Sequence, residues 1–102
     1  MKINNDIIEK AKKIQLLILD VDGVLTDGRL LISDEGREYK AFHTQDGLGM
    51  KRLQQLARIQ LGVISGRHSP AVEHRLNELS VKHIFLGHEN KESAFQQLLT
   101  TL

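Results

Sequence analysis

The chain has no cysteine and a single proline, Pro70, among its 102 residues. Without cysteine there is no disulfide framework, no zinc–thiolate site and no thiol nucleophile. An excess of one charge is also missing: 14 Lys and Arg stand against 13 Asp and Glu. That balance is ordinary for a globular protein and gives no footing for a nucleic-acid partner. The longest apolar run is the four residues Leu16–Leu19, far short of the ~20 that cross a bilayer. Residues 1–13 are polar and charged, with no signal-peptide hydrophobic region. The expectation is a cytoplasmic protein with no membrane partner. No repeat, linker or low-complexity stretch breaks the chain, so residues 1–102 read as a single domain. A domain of this size buries roughly 60–65% of its unfolded surface, a real but modest core.

Apolar periodicity and turn residues set out the elements. A short helix is expected over residues 6–12 and a strand over 16–21. A hairpin follows over 29–42, turning at Ser33-Asp34-Glu35-Gly36. The next helix spans 47–57 with Met50, Leu53, Leu56 and Ala57 inward, and a second buried strand spans 59–64. Pro70 opens a helix over 70–79 with Val72, Leu76 and Leu79 inward. A short strand over 83–86 and a helix over 92–102, with Ala94, Phe95, Leu98 and Leu99 inward, complete the chain. Alternating strands and helices imply an α/β fold with a parallel sheet. Met50, Phe42 and Phe85 are read as core. None of the five histidines makes a zinc-binding pair on one helix face, and all but His43 are read as surface or loop residues.

The segment Asp20-Val21-Asp22-Gly23 puts two carboxylates just past the first strand, where ligands of open α/β sheets bind. On an extended backbone, side chains two apart project to one side. Gly23 lets the chain turn sharply after them. Two close carboxylates with no basic residue between them repel, and a divalent cation, Mg2+, is the natural way to hold both ionised. One can attack phosphorus while the other moves the proton. A calcium loop is ruled out, because Val24, Leu25 and Leu31 stand where an EF-hand needs an oxygen ligand, glycine and glutamate. Ser65-Gly66-Arg67 ends the second long strand with a small hydroxyl, and Lys91 stands where the last helix begins. Taken alone, the first is a plain turn and the second a surface lysine.

In order and spacing, four segments resemble the haloacid dehalogenase superfamily of phosphatases. They are residues 20–28, Lys40-Ala41-Phe42-His43-Thr44-Gln45-Asp46-Gly47-Leu48-Gly49-Met50-Lys51, Ile64-Ser65-Gly66-Arg67 and Gly87-His88-Glu89-Asn90-Lys91. Within it they resemble the cap-less branch that contains 3-deoxy-D-manno-octulosonate (KDO) 8-phosphate phosphatase. The resemblance implies a Rossmann-like three-layer sandwich with a β-hairpin inserted after the first strand. It also implies a Mg2+-dependent phosphomonoesterase of lipopolysaccharide precursor synthesis. Asp20 would be the nucleophile and Asp22 the acid/base, with Ser65 and Lys91 completing the catalytic set and Asp20 and Asp22 holding the metal. Substrate binding would fall to Asp22, His43, Thr44, Gln45, Asp46, Gly47, Lys51, Arg67, Arg75 and Lys91, with residues 43–47 as a loop before the helix. Relatives form homotetramers in which the hairpin helps close a neighbour's site, and the same is expected here. The superfamily's fourth motif, an acidic cluster after a fourth strand, has no counterpart, since residues 92–102 contain no aspartate. The expectation is a C-terminally incomplete domain. Its apolar sheet edge would want cover from another chain, and its metal would be held without a third protein anchor. A phosphatase for a related nine-carbon sugar acid, or an inactive assembly module, are the alternatives.

Overall fold

A computed structural model describes residues 4–102 of the chain. The elements run α1 (Asn5–Ala11), β1 (Leu16–Leu19), β2 (Leu31–Ile32), β3 (Glu38–Tyr39), α2 (Thr44–Gln55), β4 (Gln60–Ile64), α3 (Pro70–Glu78), β5 (His83–Phe85) and α4 (Lys91–Thr101). The long strands form a parallel sheet in the order β1-β4-β5, and β2 pairs with β3 in a separate antiparallel ribbon.

The pleat of β4 sorts the core. Leu61 and Val63 project into a cluster with Met50 of α2 and Val72 and Leu76 of α3, closed by Val21, Leu25, Leu79 and Val81. Leu17 and Leu19 of β1 pack against the same cluster, in register with Leu61 and Val63. Gly62 faces the other way, towards α4. A Cβ on it would lie 2.9 Å from Leu98 Cδ2, so the missing side chain is what lets α4 seat this closely. Ala94 and Leu98 are the buried residues of that helix. Helices therefore cover both faces of the parallel sheet, as the α/β reading requires.

Several elements are shorter than the sequence suggests. The first strand ends at Leu19 rather than 21, because the Val21 carbonyl receives the amides of Val24, Leu25 and Thr26 and the chain curls away. The hairpin turns at Ser33 as expected, with Gly36 N donating to Ser33 O at 2.9 Å. Its strands are only two residues each, however, and Leu31, Ile32 and Tyr39 are exposed. Leu56 is 79% exposed because α2 ends one residue before it. Phe95 and Leu99, expected inward, stay over a third exposed: α4 rests on Ala94 and Leu98, and Phe95 lines an open cavity with Ile18 and Leu19. The helix α1 buries none of its residues. His83 opens β5, as the expected strand over 83–86 requires.

Candidate active site

Two carboxylates and a buried serine follow the carboxyl ends of the adjacent strands β1 and β4. Asp20 follows β1 and Ser65 follows β4. Ser65 N donates to Phe85 O at 2.9 Å and His88 N donates to Ser65 O at 3.0 Å, so the β4–β5 ladder continues past its last strand residues and fixes the serine. The serine is buried, and its Oγ accepts the Arg67 amide at 3.3 Å. Gly23, with φ of +81°, takes the left-handed turn that carries the chain off after Asp22.

Each carboxylate has its own cation. Lys91, first residue of α4, donates from Nζ to Asp20 Oδ2 at 2.9 Å, and the Val21 amide donates to Asp20 Oδ1 at 2.7 Å. Burial works to raise the Asp20 pKa, but the Lys91 hydrogen bond, the Val21 amide and the Lys91 charge together hold it below the usual carboxylate value. Lys40 donates from Nζ to Asp22 Oδ1 at 2.7 Å and lies 3.0 Å from Glu38 Oε1, with its side chain only 2% exposed. Burial acts to depress the Lys40 pKa, yet the hydrogen bonds and charges of Asp22 and Glu38 raise it above the ordinary lysine value. Arg67 extends the network, its Nη2 donating to Glu38 Oε1 at 3.4 Å.

This corrects the electrostatic expectation. The two aspartates do not face each other bare: lysines 18 and 71 residues away in sequence neutralise them one by one. No basic residue stands between the aspartates in the chain, so local sequence carried no sign of either pairing. Lys40 and Glu38 are site residues to which the motif pattern assigns no role. The available signal is their spacing, two apart where the expected hairpin's second arm is extended, which puts both on one side.

The segment over residues 43–47 is also corrected. His43 is the N-cap of α2 and its Nδ1 accepts the Gln45 amide at 3.1 Å, so Thr44, Gln45, Asp46 and Gly47 are the first turn of the helix and not a loop. The Gly47 amide goes to His43 O at 3.3 Å, so two amides of the expected cradle are already taken. Asp46 stands in the first turn, where a carboxylate suits the helix dipole. Gly47 is buried beneath the Arg75 guanidinium of α3 and Leu79, the residue that caps that helix. Arg75 accordingly lies in the α2–α3 interface near His43 and Asp46 and 3.8 Å from Glu78. Thr44 and Lys51 are exposed on α2.

Two openings flank the aspartates. One, of about 380 Å³, is lined by Asp20, Lys91 and the apolar Ile18, Leu19, Ile64 and Phe95. The other, of about 300 Å³, lies between residues 24–27 and the entry to α2, with Phe42, His43 and Asp46 on its wall. Among the described residues no three His, Asp or Glu side chains converge as a metal-binding group. The Asp20 carboxylate and the Asp22 main-chain carbonyl are hard oxygen donors. As a pair they fit a magnesium ion that keeps most of its waters.

No protein-family model matches the chain. It is 43% identical over 100 residues to the 3-deoxy-D-manno-octulosonate 8-phosphate phosphatase KdsC of Escherichia coli K12, covering 98% of this chain and 53% of that protein. Among solved structures, the Moraxella catarrhalis 3-deoxy-D-manno-octulosonate 8-phosphate phosphatase, in complex with magnesium, phosphate and KDO, superposes with a TM-score of 0.87. It is 44% identical, over 95% of this chain and 55% of that one. The Yersinia pestis phosphatase of the same name gives a TM-score of 0.90 at 38% identity, over 97% of this chain and 53% of that one. The chain spans about half the length of the curated relatives it matches. With motif order, parallel-sheet fold and identity in agreement, the chain belongs to the haloacid dehalogenase superfamily, as a relative of the 3-deoxy-D-manno-octulosonate 8-phosphate phosphatases.

Proposed function

We propose that this protein is a magnesium-dependent phosphomonoesterase that releases phosphate from 3-deoxy-D-manno-octulosonate 8-phosphate, in lipopolysaccharide precursor synthesis in the cytoplasm. The observation that carries the reading is Asp20 at the end of β1, gripped by the Val21 amide and the Lys91 ammonium. Such a carboxylate is oriented and ionised, with a cation beside it for the charge of an incoming phosphoryl group.

In this reading an Asp20 oxygen attacks phosphorus while the bond from phosphorus to the sugar oxygen breaks. In the acid role Asp22 gives a proton to that leaving oxygen; its Oδ1 is engaged by Lys40, so Oδ2 serves the substrate. Water then attacks the aspartyl phosphate, Asp22 takes the water's proton, and the bond between phosphorus and Asp20 breaks to free phosphate. Ser65 and Lys91 hold the phosphoryl oxygens. Magnesium, held by Asp20 and the Asp22 carbonyl, would supply positive charge against the phosphate. His43, Thr44, Gln45, Asp46, Gly47 and Lys51 would form the sugar-acid side, with Arg67 and Arg75 as anion contacts. The magnesium, phosphate and KDO held by the Moraxella relative support the ligand set.

The test is magnesium-dependent phosphate release from the octulosonate 8-phosphate, with Asp20→Asn as control. Release abolished by the substitution supports the reading. A folded chain that releases nothing favours the second reading, an inactive assembly module, to which the lack of a three-ligand group among the described residues points. The exposed Leu31, Ile32 and Tyr39 of the hairpin favour self-association as a homotetramer. A monomer by light scattering would remove that part of the proposal.

A further inference from the structure

A second cavity, of about 240 Å³, opens where β4 and β5 begin, at the edge of the sheet opposite Asp20 and Ser65. The length of β4 separates the two edges by about 13 Å, at ~3.3 Å per residue. Arg58, Lys82, His83, Gln54 and Gln60 are its polar wall, and no carboxylate lines it. Arg58 and Lys82 are exposed, and neither is ion-paired among the described residues.

The wall is held in place. Gln54 Nε2 donates to the carbonyls of Met50 and Leu79 at 3.3 and 3.0 Å. His83 Nε2 and Gln60 Oε1 are 3.0 Å apart. Arg58 itself has φ of +55°, in the left-handed region that glycine enters without strain. The turn from α2 to β4 is thus a place for glycine, occupied by an arginine at a conformational cost. Strain of this kind concentrates where a side chain is wanted for binding.

We propose that this cavity is an anion site for the phosphate group of a small molecule, distinct from the Asp20 centre. A guanidinium fork meets two phosphate oxygens, and an ammonium adds a point charge beside it. Two cations with no counter-ion suit a dianion better than a single carboxylate. The shared chemistry is a phosphate, arriving either as the free inorganic ion or on a sugar-sized ester.

The experiment is an NMR titration of the whole chain without magnesium, using inorganic phosphate in one arm and glycerol 3-phosphate in the other. Saturable shifts are expected at the Arg58, Lys82 and His83 amides, weakened about tenfold in K82Q and in R58G. R58G removes the cation while giving the turn the residue that suits its backbone, so the variant keeps its fold. Shifts at Ser65 and Lys91, arising from the other edge, should be unchanged in both variants. Tighter binding of glycerol 3-phosphate identifies an ester as the ligand, and equal binding identifies the free ion. No saturable shift at residues 58, 82 and 83, or shifts the two variants leave intact, would overturn the proposal.

Discussion

Strands β1 and β4 lie side by side in register, and the more apolar of the two is the less buried. All four residues of β1, Leu16–Leu19, are only partly covered, whereas Leu61, Gly62, Val63 and Ile64 of β4 are all buried. β4 has a strand on each side, the α2/α3 core on one face and Leu98 of α4 on the other. Beyond β1 no strand is paired among the described residues, and the cavity next to it exposes Ile18 and Leu19. An apolar run therefore reports how much cover a strand calls for. Neighbours decide how much it receives. An uncharged apolar edge strand is also a template for further pairing.

The sharpest way to break the comparison is a charge in each strand. Val63→Asp places a carboxylate at a site with no solvent exposure, and it should prevent folding, with a cost above ~4 kcal/mol. Ile18→Lys on β1, where the side chain lines the open cavity, should leave the chain folded, as read by circular dichroism, and reduce its tendency to associate in sedimentation experiments. If both variants unfold, β1 is no edge. Truncations give the graded form: Leu61→Ala should cost about 2–5 kcal/mol in denaturant unfolding, and Ile18→Ala roughly 1 kcal/mol. Equal losses would mean that the two strands are equally enclosed.

The ion pairs of Asp20 and Asp22, just past β1, can be read by pH. Lys40 has a raised folded pKa, so its contribution is fully present below the unfolded value near 10.5 and is lost as pH rises through the folded one. Lys40→Met should flatten the alkaline limb of a stability–pH curve; a limb unchanged by the substitution would contradict the pairing. Asp20 has a lowered folded pKa, so its contribution is present above the unfolded value of about 3.8 and lost as pH falls through the folded one. Lys91→Gln should remove part of that acid-side loss. This is the smallest effect of the series, because both side chains are about half exposed. Thermal melts from pH 2 to 5 on the two chains would show it.

The strand ends were legible in the sequence because Asp20, Ser65 and Lys91 each sit one step beyond an apolar run or at a helix start, where local pattern and site coincide. The start of α2 was not. Gly47 and Gly49 lower helix propensity by about 1 kcal/mol each, and they mask a first turn that is held by tertiary packing, with Gly47 buried beneath Arg75 and Leu79. Lys40 was hidden for a different reason: its partnership with Asp22 depends on where a separate hairpin lands, and no local window contains that. Phe95 and Leu99 misled because helical spacing marks an apolar stripe without saying how wide a surface awaits it.

Gly62 links the interior of the sheet to its edge. Leu98 settles over it, and Lys91 stands seven residues earlier on the same rigid helix, about 10 Å along its axis. The depth at which one leucine sits thus sets the reach of one ammonium, with the helix as the lever between them. A single methyl group added at residue 62 would lift that lever, and Asp20 would feel it without having been touched.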